Sequence, residues 1–175
     1  MEIILNSLQY TIPSIIVLLT SYFIVKSFLD KEYQKQRHEL HMNNQKTITP
    51  IRLQAYERIL MFLERISPQS LLSRVQVNGI TAKQFQGLLV KNVKSEFEHN
   101  LSQQIYISNE AWGLVKIAKE NLIKLINVAS VHLNKDATSI DLSKLIIDMY
   151  LKAENLPINT AIDKLKEEFN TNFID

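Results

Sequence analysis

The chain has no cysteine, three glycines, four prolines and a single tryptophan among its 175 residues. The absence of cysteine excludes disulfides, thiolate metal sites and cysteine nucleophiles. Three scattered glycines are too few for the phosphate-binding loops of P-loop and dinucleotide-binding proteins. Neither sign of charge dominates, because 20 basic and 18 acidic residues leave a formal charge of +2. Such a balance does not indicate a protein that wraps nucleic acid, so we expect no nucleic-acid partner. Because the sequence has neither thiolate sites nor phosphate-binding loops, we also expect no cofactor and no identifiable small-molecule substrate.

The N-terminal segment is apolar and uncharged between residues 3 and 25, most densely from 12 to 25. At about 1.5 Å per residue, a helix of this length covers a hydrocarbon layer of about 30 Å. The segment therefore predicts a transmembrane anchor over residues 1–29, retained in the protein. A cleaved signal peptide is the alternative, although no basic residue precedes the apolar run.

Basic residues follow this segment, and none precedes it: Lys26, Lys31, Lys35 and Arg37. By the positive-inside rule, they predict that the C-terminal side is cytoplasmic. Residues 30–46 are polar and free of helix breakers, which predicts a helical stalk. Residues 47–175 then form the cytoplasmic domain.

Apolar residues at spacings of three and four predict that residues 47–175 are an all-α bundle of five or six helices. Thr49 and Pro50 indicate one helix start, for a helix over about 50–66, and Ser67 with Pro68 the next. The turn at residues 76–81 contains Asn78-Gly79, and we prefer a connection between helices there to a β-hairpin.

Helix starts in the second half of the domain carry N-capping signals. A capping-box pattern at Thr81 opens a long helix whose apolar side extends to Ile105. Ser108 caps the next helix, Thr138 opens another, and Pro157 separates it from the last. The predicted fold is therefore an N-terminal transmembrane helix with a helical stalk, followed by a five- to six-helix bundle.

Three stretches carry a resemblance to a known family: RLQAYERILMFLERISP (52–68), EFEHNLSQQIYISNEAW (96–112) and AKENLIKLINVA (118–129). They resemble an uncharacterised family of small bacterial single-pass membrane proteins with no assigned activity. The resemblance covers about the middle half of the chain and implies a bacterial inner-membrane protein. It implies no cofactor and no catalytic residue.

Glu96 and His99 lie one helical turn apart, the spacing at which a carboxylate and an imidazole ligate one metal in carboxylate-bridged di-iron bundles. Such sites need a second Glu-x-x-His pair, and the sequence has no other. We therefore expect a polar contact or a bond from His99 to a backbone carbonyl, with no metal site. His38 and His41, three residues apart, are a weaker metal-binding pair on an exposed stalk face.

Two polar patterns remain. Asn92, Glu96, Asn100 and Gln104 recur every four residues beside the apolar stripe. If buried, this stripe needs partners such as Arg52, Arg58, Tyr56 or Tyr106, because an unpaired buried polar group costs about 1–3 kcal/mol. If exposed, it is a solvated face.

Between Glu64 and Glu96 the sequence has no acid and five cations: Arg65, Arg74, Lys83, Lys91 and Lys94. They form either a solvated face or a surface for anionic lipid headgroups.

Three functions follow from these patterns. The first is a non-catalytic membrane-anchored adaptor or accessory subunit that binds another protein or its own copies. The second is a module that binds anionic lipid through the basic stretch 65–94. The third is a metalloenzyme that uses Glu96 and His99.

Overall fold

The computed structural model describes residues 2–153 and 155–173, with side chains from residue 15 onward except those of residues 38, 40, 41, 43 and 44. The elements are α1 Glu2–Ile66, α2 Pro68–Val75, α3 Ala82–His99, a 3-10 helix Leu101–Ile105, α4 Asn109–Val131, α5 Ser139–Leu151 and α6 Pro157–Phe173. Within the described residues there is no strand, only an isolated antiparallel bridge between Thr81 and Thr138. The prediction of an all-α fold is confirmed.

The chain divides into two compact units, Met1–Thr49 and Pro50–Asp175. In the first unit, α1 exposes apolar side chains on all of its sides between residues 15 and 29. Across the part of the chain that the structure describes, none of the helices combines the length and the apolarity that crossing a bilayer requires. The prediction of a transmembrane helix is therefore wrong. The densest apolar part, 12–25, measures only about 21 Å as a helix, less than a hydrocarbon layer of about 30 Å, and polar residues interrupt the sequence before it.

The second unit begins inside α1, because the helix continues through Pro50. The predicted helix start at Thr49 and Pro50 is therefore wrong. Proline removes one backbone donor and restricts the residue before it. The residues on both sides are nevertheless helical, so this proline does not end the helix.

The core of the second unit contains one face of every α-helix in it. The most completely buried large side chains are Ile59, Phe62, Leu63, Ile66, Leu71, Phe85, Leu89, Val93, Val115, Ile126, Leu142 and Ile146. On α1, α3 and α5 these residues recur at spacings of three and four, which is the pattern that predicted the bundle. The fold of this unit was therefore readable from periodicity.

Two N-capping boxes lie side by side where α3 and α5 begin. The Thr81 hydroxyl accepts from the Gln84 N–H at 3.3 Å, and the Thr138 hydroxyl accepts from the Asp141 N–H at 3.3 Å. Backbone bonds between the two starts, including Ala82 N–H to Ala137 O at 2.8 Å, form the isolated bridge. The predicted capping box at Thr81 and the predicted helix start at Thr138 are confirmed, and the bridge joins two helix starts that are distant in sequence.

The long helix predicted to reach Ile105 ends at His99 instead. Asn100 caps α3 with a non-helical backbone, and its side-chain amide donates to Glu96 O at 2.8 Å. The chain then tightens into the 3-10 helix, which leaves Ile105 76% exposed rather than in the core. The apolar pattern continues past this turn and therefore gave no sign of it. The Asn100 side chain competes with the helix for backbone hydrogen bonds, and apolar spacing does not report that competition.

Candidate functional site

A groove of about 580 Å³ lies between the C-terminal part of α1 and α6, and we call it the α1/α6 groove. Its walls consist of Leu53, Tyr56, Glu57 and Leu60 from α1 and Leu165, Lys166, Phe169 and Asn170 from α6. On each helix these residues recur at spacings of three and four, so they lie along one side of it. The groove is therefore a seam between two packed helices, wide enough to leave part of its apolar lining uncovered.

Aromatic rings form the base of the groove and its end. The Tyr56 ring meets Phe169 edge-on at 6.0 Å between centroids and Phe173 at 5.8 Å. The Arg52 guanidinium lies 5.3 Å from the centroid of Phe173. These edge-to-face and cation–π contacts hold large side chains in one arrangement, which gives the groove a preformed shape.

Tyr56 is buried, and its hydroxyl donates to the Glu168 carboxylate at 3.4 Å. The same carboxylate accepts a hydrogen bond from the Ser108 hydroxyl, at the start of α4. Burial, and secondarily the negative charge of Glu168, raises the pKa of Tyr56 above its usual value. The tyrosine is therefore a neutral hydrogen-bond donor and part of the wall rather than an acid or a base.

Charges of opposite sign lie on opposite walls. Glu57 on α1 and Lys166 on α6 are both exposed. Neither forms an ion pair with another residue in the described part of the chain. The groove thus presents apolar surface with an exposed acid, Glu57, on one wall and an exposed cation, Lys166, on the other, an arrangement suited to binding a segment of protein.

The candidate metal ligand Glu96 is engaged by two arginines, and we call these three residues the Glu96 cluster. Its Oε1 accepts from Arg65 Nη2 at 2.8 Å and Nε at 3.1 Å, and from Arg74 Nη1 at 2.8 Å. The Glu96 side chain is only 19% exposed. The cluster therefore joins the end of α1, α2 and α3, and it places two guanidinium cations beside the carboxylate, where they would repel a metal cation.

The histidines do not converge on that carboxylate. His99 Nδ1 lies 2.8 Å from Ser95 O, and His132 Nδ1 lies 2.8 Å from Val128 O, each one turn back in its own helix. No group of three potential metal ligands lies together among the described side chains. The side chains of His38 and His41 lie outside the described residues.

The polar stripe is half-buried, neither of the two states considered from sequence. Asn92, Glu96 and Asn100 are partly covered, whereas Gln104 is exposed in the 3-10 helix. The Asn92 amide donates to Leu88 O at 2.9 Å, within α3. Of this stripe, Glu96 makes the ion pairs between helices, and its partners are Arg65 and Arg74 rather than the four candidates named from sequence.

The basic stretch 65–94 separates into two groups. Arg65 and Arg74 belong to the Glu96 cluster, so part of their charge is neutralised. Lys83, Lys91 and Lys94 are exposed on α3 and form no ion pair among the described residues. Helical geometry places these three lysines within about 80° of one another around the helix axis, and we call this surface the α3 lysine face.

Apolar periodicity predicted a core-facing stripe on each helix but not the α1/α6 groove, whose apolar lining includes Leu53, Tyr56, Leu60 and Phe169. The residues are partly or fully buried, as a core stripe should be. One signal was available, because Glu57 lies among these apolar residues on the same side of its helix. A charge inside a stripe indicates that the stripe reaches the surface there.

Comparison with known proteins gives a match to a family. No curated protein and no solved structure matches the chain. The model of one family of unknown function, DUF7935, matches residues 2–172. The match covers both units and nearly the whole chain, so this protein belongs to the DUF7935 family of unknown function.

Proposed function

We propose that this protein is a non-catalytic helical interaction protein, an adaptor or accessory subunit, whose α1/α6 groove receives an apolar segment of a protein partner. The observation that carries the proposal is the groove itself, with Leu53, Leu60 and Phe169 only partly covered along its length. Grooves between packed helices with apolar anchoring positions and a charged rim are a recurring mode of helix recognition. The preformed aromatic base reduces the entropic cost of binding.

The test compares two apolar-to-charged substitutions in the full chain. Leu60→Lys places an ammonium group in the groove, and Val131→Lys makes the same change at an exposed position at the end of α4. In a pull-down with the full chain as bait, we expect Leu60→Lys to reduce the amount of partner protein recovered by about tenfold or more. The reason is that one interface anchor is worth at least about 1.4 kcal/mol. Val131→Lys leaves recovery unchanged. Equal recovery with both variants, at equal folding by circular dichroism, contradicts the proposal.

Anionic lipid binding is the second candidate, favoured by the α3 lysine face. Each lysine near a membrane surface contributes about 1 kcal/mol, so three give about 100-fold in affinity. Because Arg65 and Arg74 contact Glu96, the lipid candidate depends on these three lysines rather than on all five cations of the basic stretch. Placement of the domain beside a bacterial inner membrane, on its cytoplasmic side, stays a prediction.

Vesicles containing phosphatidylserine test the lipid candidate. Replacing Lys83, Lys91 and Lys94 by glutamine should weaken binding by about 100-fold and remove most of its salt dependence. The matched control replaces three exposed lysines elsewhere by glutamine: Lys116, Lys124 and Lys135. Equal losses in both triple variants would show that binding depends on net charge rather than on the α3 lysine face, and would contradict the lipid candidate.

A metalloenzyme has no observation in its favour among the described residues. Two guanidinium groups contact the Glu96 carboxylate, and His99 Nδ1 faces a carbonyl of its own helix. Metal analysis of the purified protein is the direct check, and stoichiometric iron, manganese or zinc would restore this alternative.

A further inference from the structure

We infer that the occupant of the α1/α6 groove is the same groove of a second copy of this chain, in a dimer with two-fold symmetry. The inference rests on the proposed function and names its partner. A symmetric dimer requires a surface that is complementary to itself, because the same patch is used by both copies. The α1/α6 groove meets this requirement in charge, through Glu57 and Lys166.

The charge argument follows from the two walls. A two-fold axis parallel to the groove places α1 of one protomer over α6 of its partner. Glu57 of each protomer then faces Lys166 of the other, and one symmetric contact gives two ion pairs. An axis across the groove would instead place α1 over α1 and α6 over α6, and Glu57 would not meet Lys166 of the partner. Glu57 and Lys166 are on opposite walls and form no ion pair among the described residues, so they favour one orientation of the dimer.

The apolar argument concerns what the second copy covers. Leu53, Leu60 and Phe169 are partly exposed within the groove, and Met61, one turn from Glu57, is 51% exposed. Met61 continues the apolar surface around α1 beyond the groove. Leucine, methionine and aromatic side chains in contact across the axis form an apolar centre, and the two ion pairs lie at its rim, which is the anatomy of a stable interface.

The first experiment uses the absence of cysteine from the natural chain. Full-length Glu57→Cys protein is mixed with full-length Lys166→Cys protein and treated with a short bismaleimide. We expect a covalent dimer at a yield about tenfold above that of a Lys91→Cys and Lys166→Cys mixture, because exposed Lys91 lies on α3, outside the groove. A yield equal to that control overturns the inference.

The second experiment reverses the charges in the full chain. Glu57→Lys places two lysines together at both symmetric contacts, and we expect the dimer dissociation constant from sedimentation equilibrium to rise about tenfold. Lys166→Glu should have the same effect. The double variant, Glu57→Lys with Lys166→Glu, restores opposite charges and should return the constant to the natural value. Failure of the double variant to restore association overturns the inference.

The two proposals fail separately. If the 57/166 cross-link is absent and Leu60→Lys still abolishes capture of a different protein, the groove binds a foreign partner and only the self-association inference fails. If Leu60→Lys changes neither capture nor dimer formation, both fail. None of these variants changes a fully buried side chain, and circular dichroism verifies that they fold.

Discussion

The two parts of α1 differ in whether their apolar side chains are exposed or buried. In the first unit Phe23 is 63% exposed, whereas in the second unit Phe62 is 1% exposed. Both belong to one continuous helix, Glu2–Ile66. Apolar character alone therefore does not decide whether a residue of α1 is buried.

The difference lies in how the apolar residues are distributed around the helix. Between residues 15 and 25 they occupy every side, so no single packing partner can cover them. Between residues 50 and 66 the buried ones recur at three and four residues: Ala55, Tyr56, Ile59, Phe62, Leu63 and Ile66. A one-sided stripe fits against neighbouring helices, and the second unit supplies them.

The largest expected effect tests this contrast directly. Phe62→Ala should reduce the free energy of unfolding by about 3–5 kcal/mol, because it removes a buried ring and leaves a cavity. Phe23→Ala should change it by less than about 0.5 kcal/mol, because the ring is exposed. Urea denaturation followed by the fluorescence of Trp112, the single tryptophan, measures both. Equal losses would mean that residues 15–29 are covered in the folded protein.

The Glu96 cluster is expected to give the next largest effect. Glu96→Gln keeps the shape but removes the charge that both Arg65 and Arg74 contact, which should cost about 1–2 kcal/mol. Glu98→Gln, at an exposed position on the same helix, is the matched control. Molar salt should reduce the difference between natural protein and Glu96→Gln. A loss no larger than that of the control would contradict a structural role for the cluster.

A smaller effect compares two threonines in different surroundings. Thr81→Ala removes the N-cap of α3 and should cost about 1 kcal/mol in urea denaturation. Among the described residues, the Thr20 hydroxyl donates to Ile16 O in its own helix, at 2.7 Å, and to no other group. Thr20→Ala should therefore be neutral or slightly raise helicity by circular dichroism, since alanine is the better helix former. A loss at Thr20 equal to that at Thr81 would place a tertiary contact in the first unit.

The smallest expected effect is a pH dependence at the start of α5. Hydrogen bonds from the Thr138 backbone N–H, and then from its hydroxyl, hold the pKa of Asp141 below its usual value of 3.8. Because the folded-state pKa is lowered, the stabilisation is complete above 3.8 and is lost as the pH falls through the lowered value. Asp141→Asn should flatten this acid-side decline in the urea midpoint, and Asp136→Asn in the preceding loop should not. Parallel curves for natural protein and Asp141→Asn would contradict the assignment.

Local signals predicted most helix starts of the second unit. Ser108 caps α4 by accepting from Ala111 N–H at 3.0 Å, and Thr81 and Thr138 open α3 and α5 as expected. These predictions hold because capping is a contact between residues three apart. Where a boundary depends on competing local bonds, as at Asn100, or on a proline that the helix tolerates, as at Pro50, the same signals were insufficient.

The candidate site depended more strongly on tertiary structure. The sequence showed five cations between Glu64 and Glu96, but only packing revealed that two of them contact Glu96 and that the other three form no ion pair within the described part of the chain. The α1/α6 groove brings together residues about a hundred positions apart, such as Tyr56 and Phe169. No spacing rule within a helix can report such a pair.

The sequence by itself determined that the chain is helical and which side of each helix of the second unit faces the core, because both depend on the period of apolar residues along one helix. It also determined the capped starts of α3, α4 and α5. Only the tertiary structure decided which stripes become fully covered, which carboxylate the arginines share, and where a groove stays open between α1 and α6. Those outcomes depend on the distance between elements, and periodicity carries no information about distance.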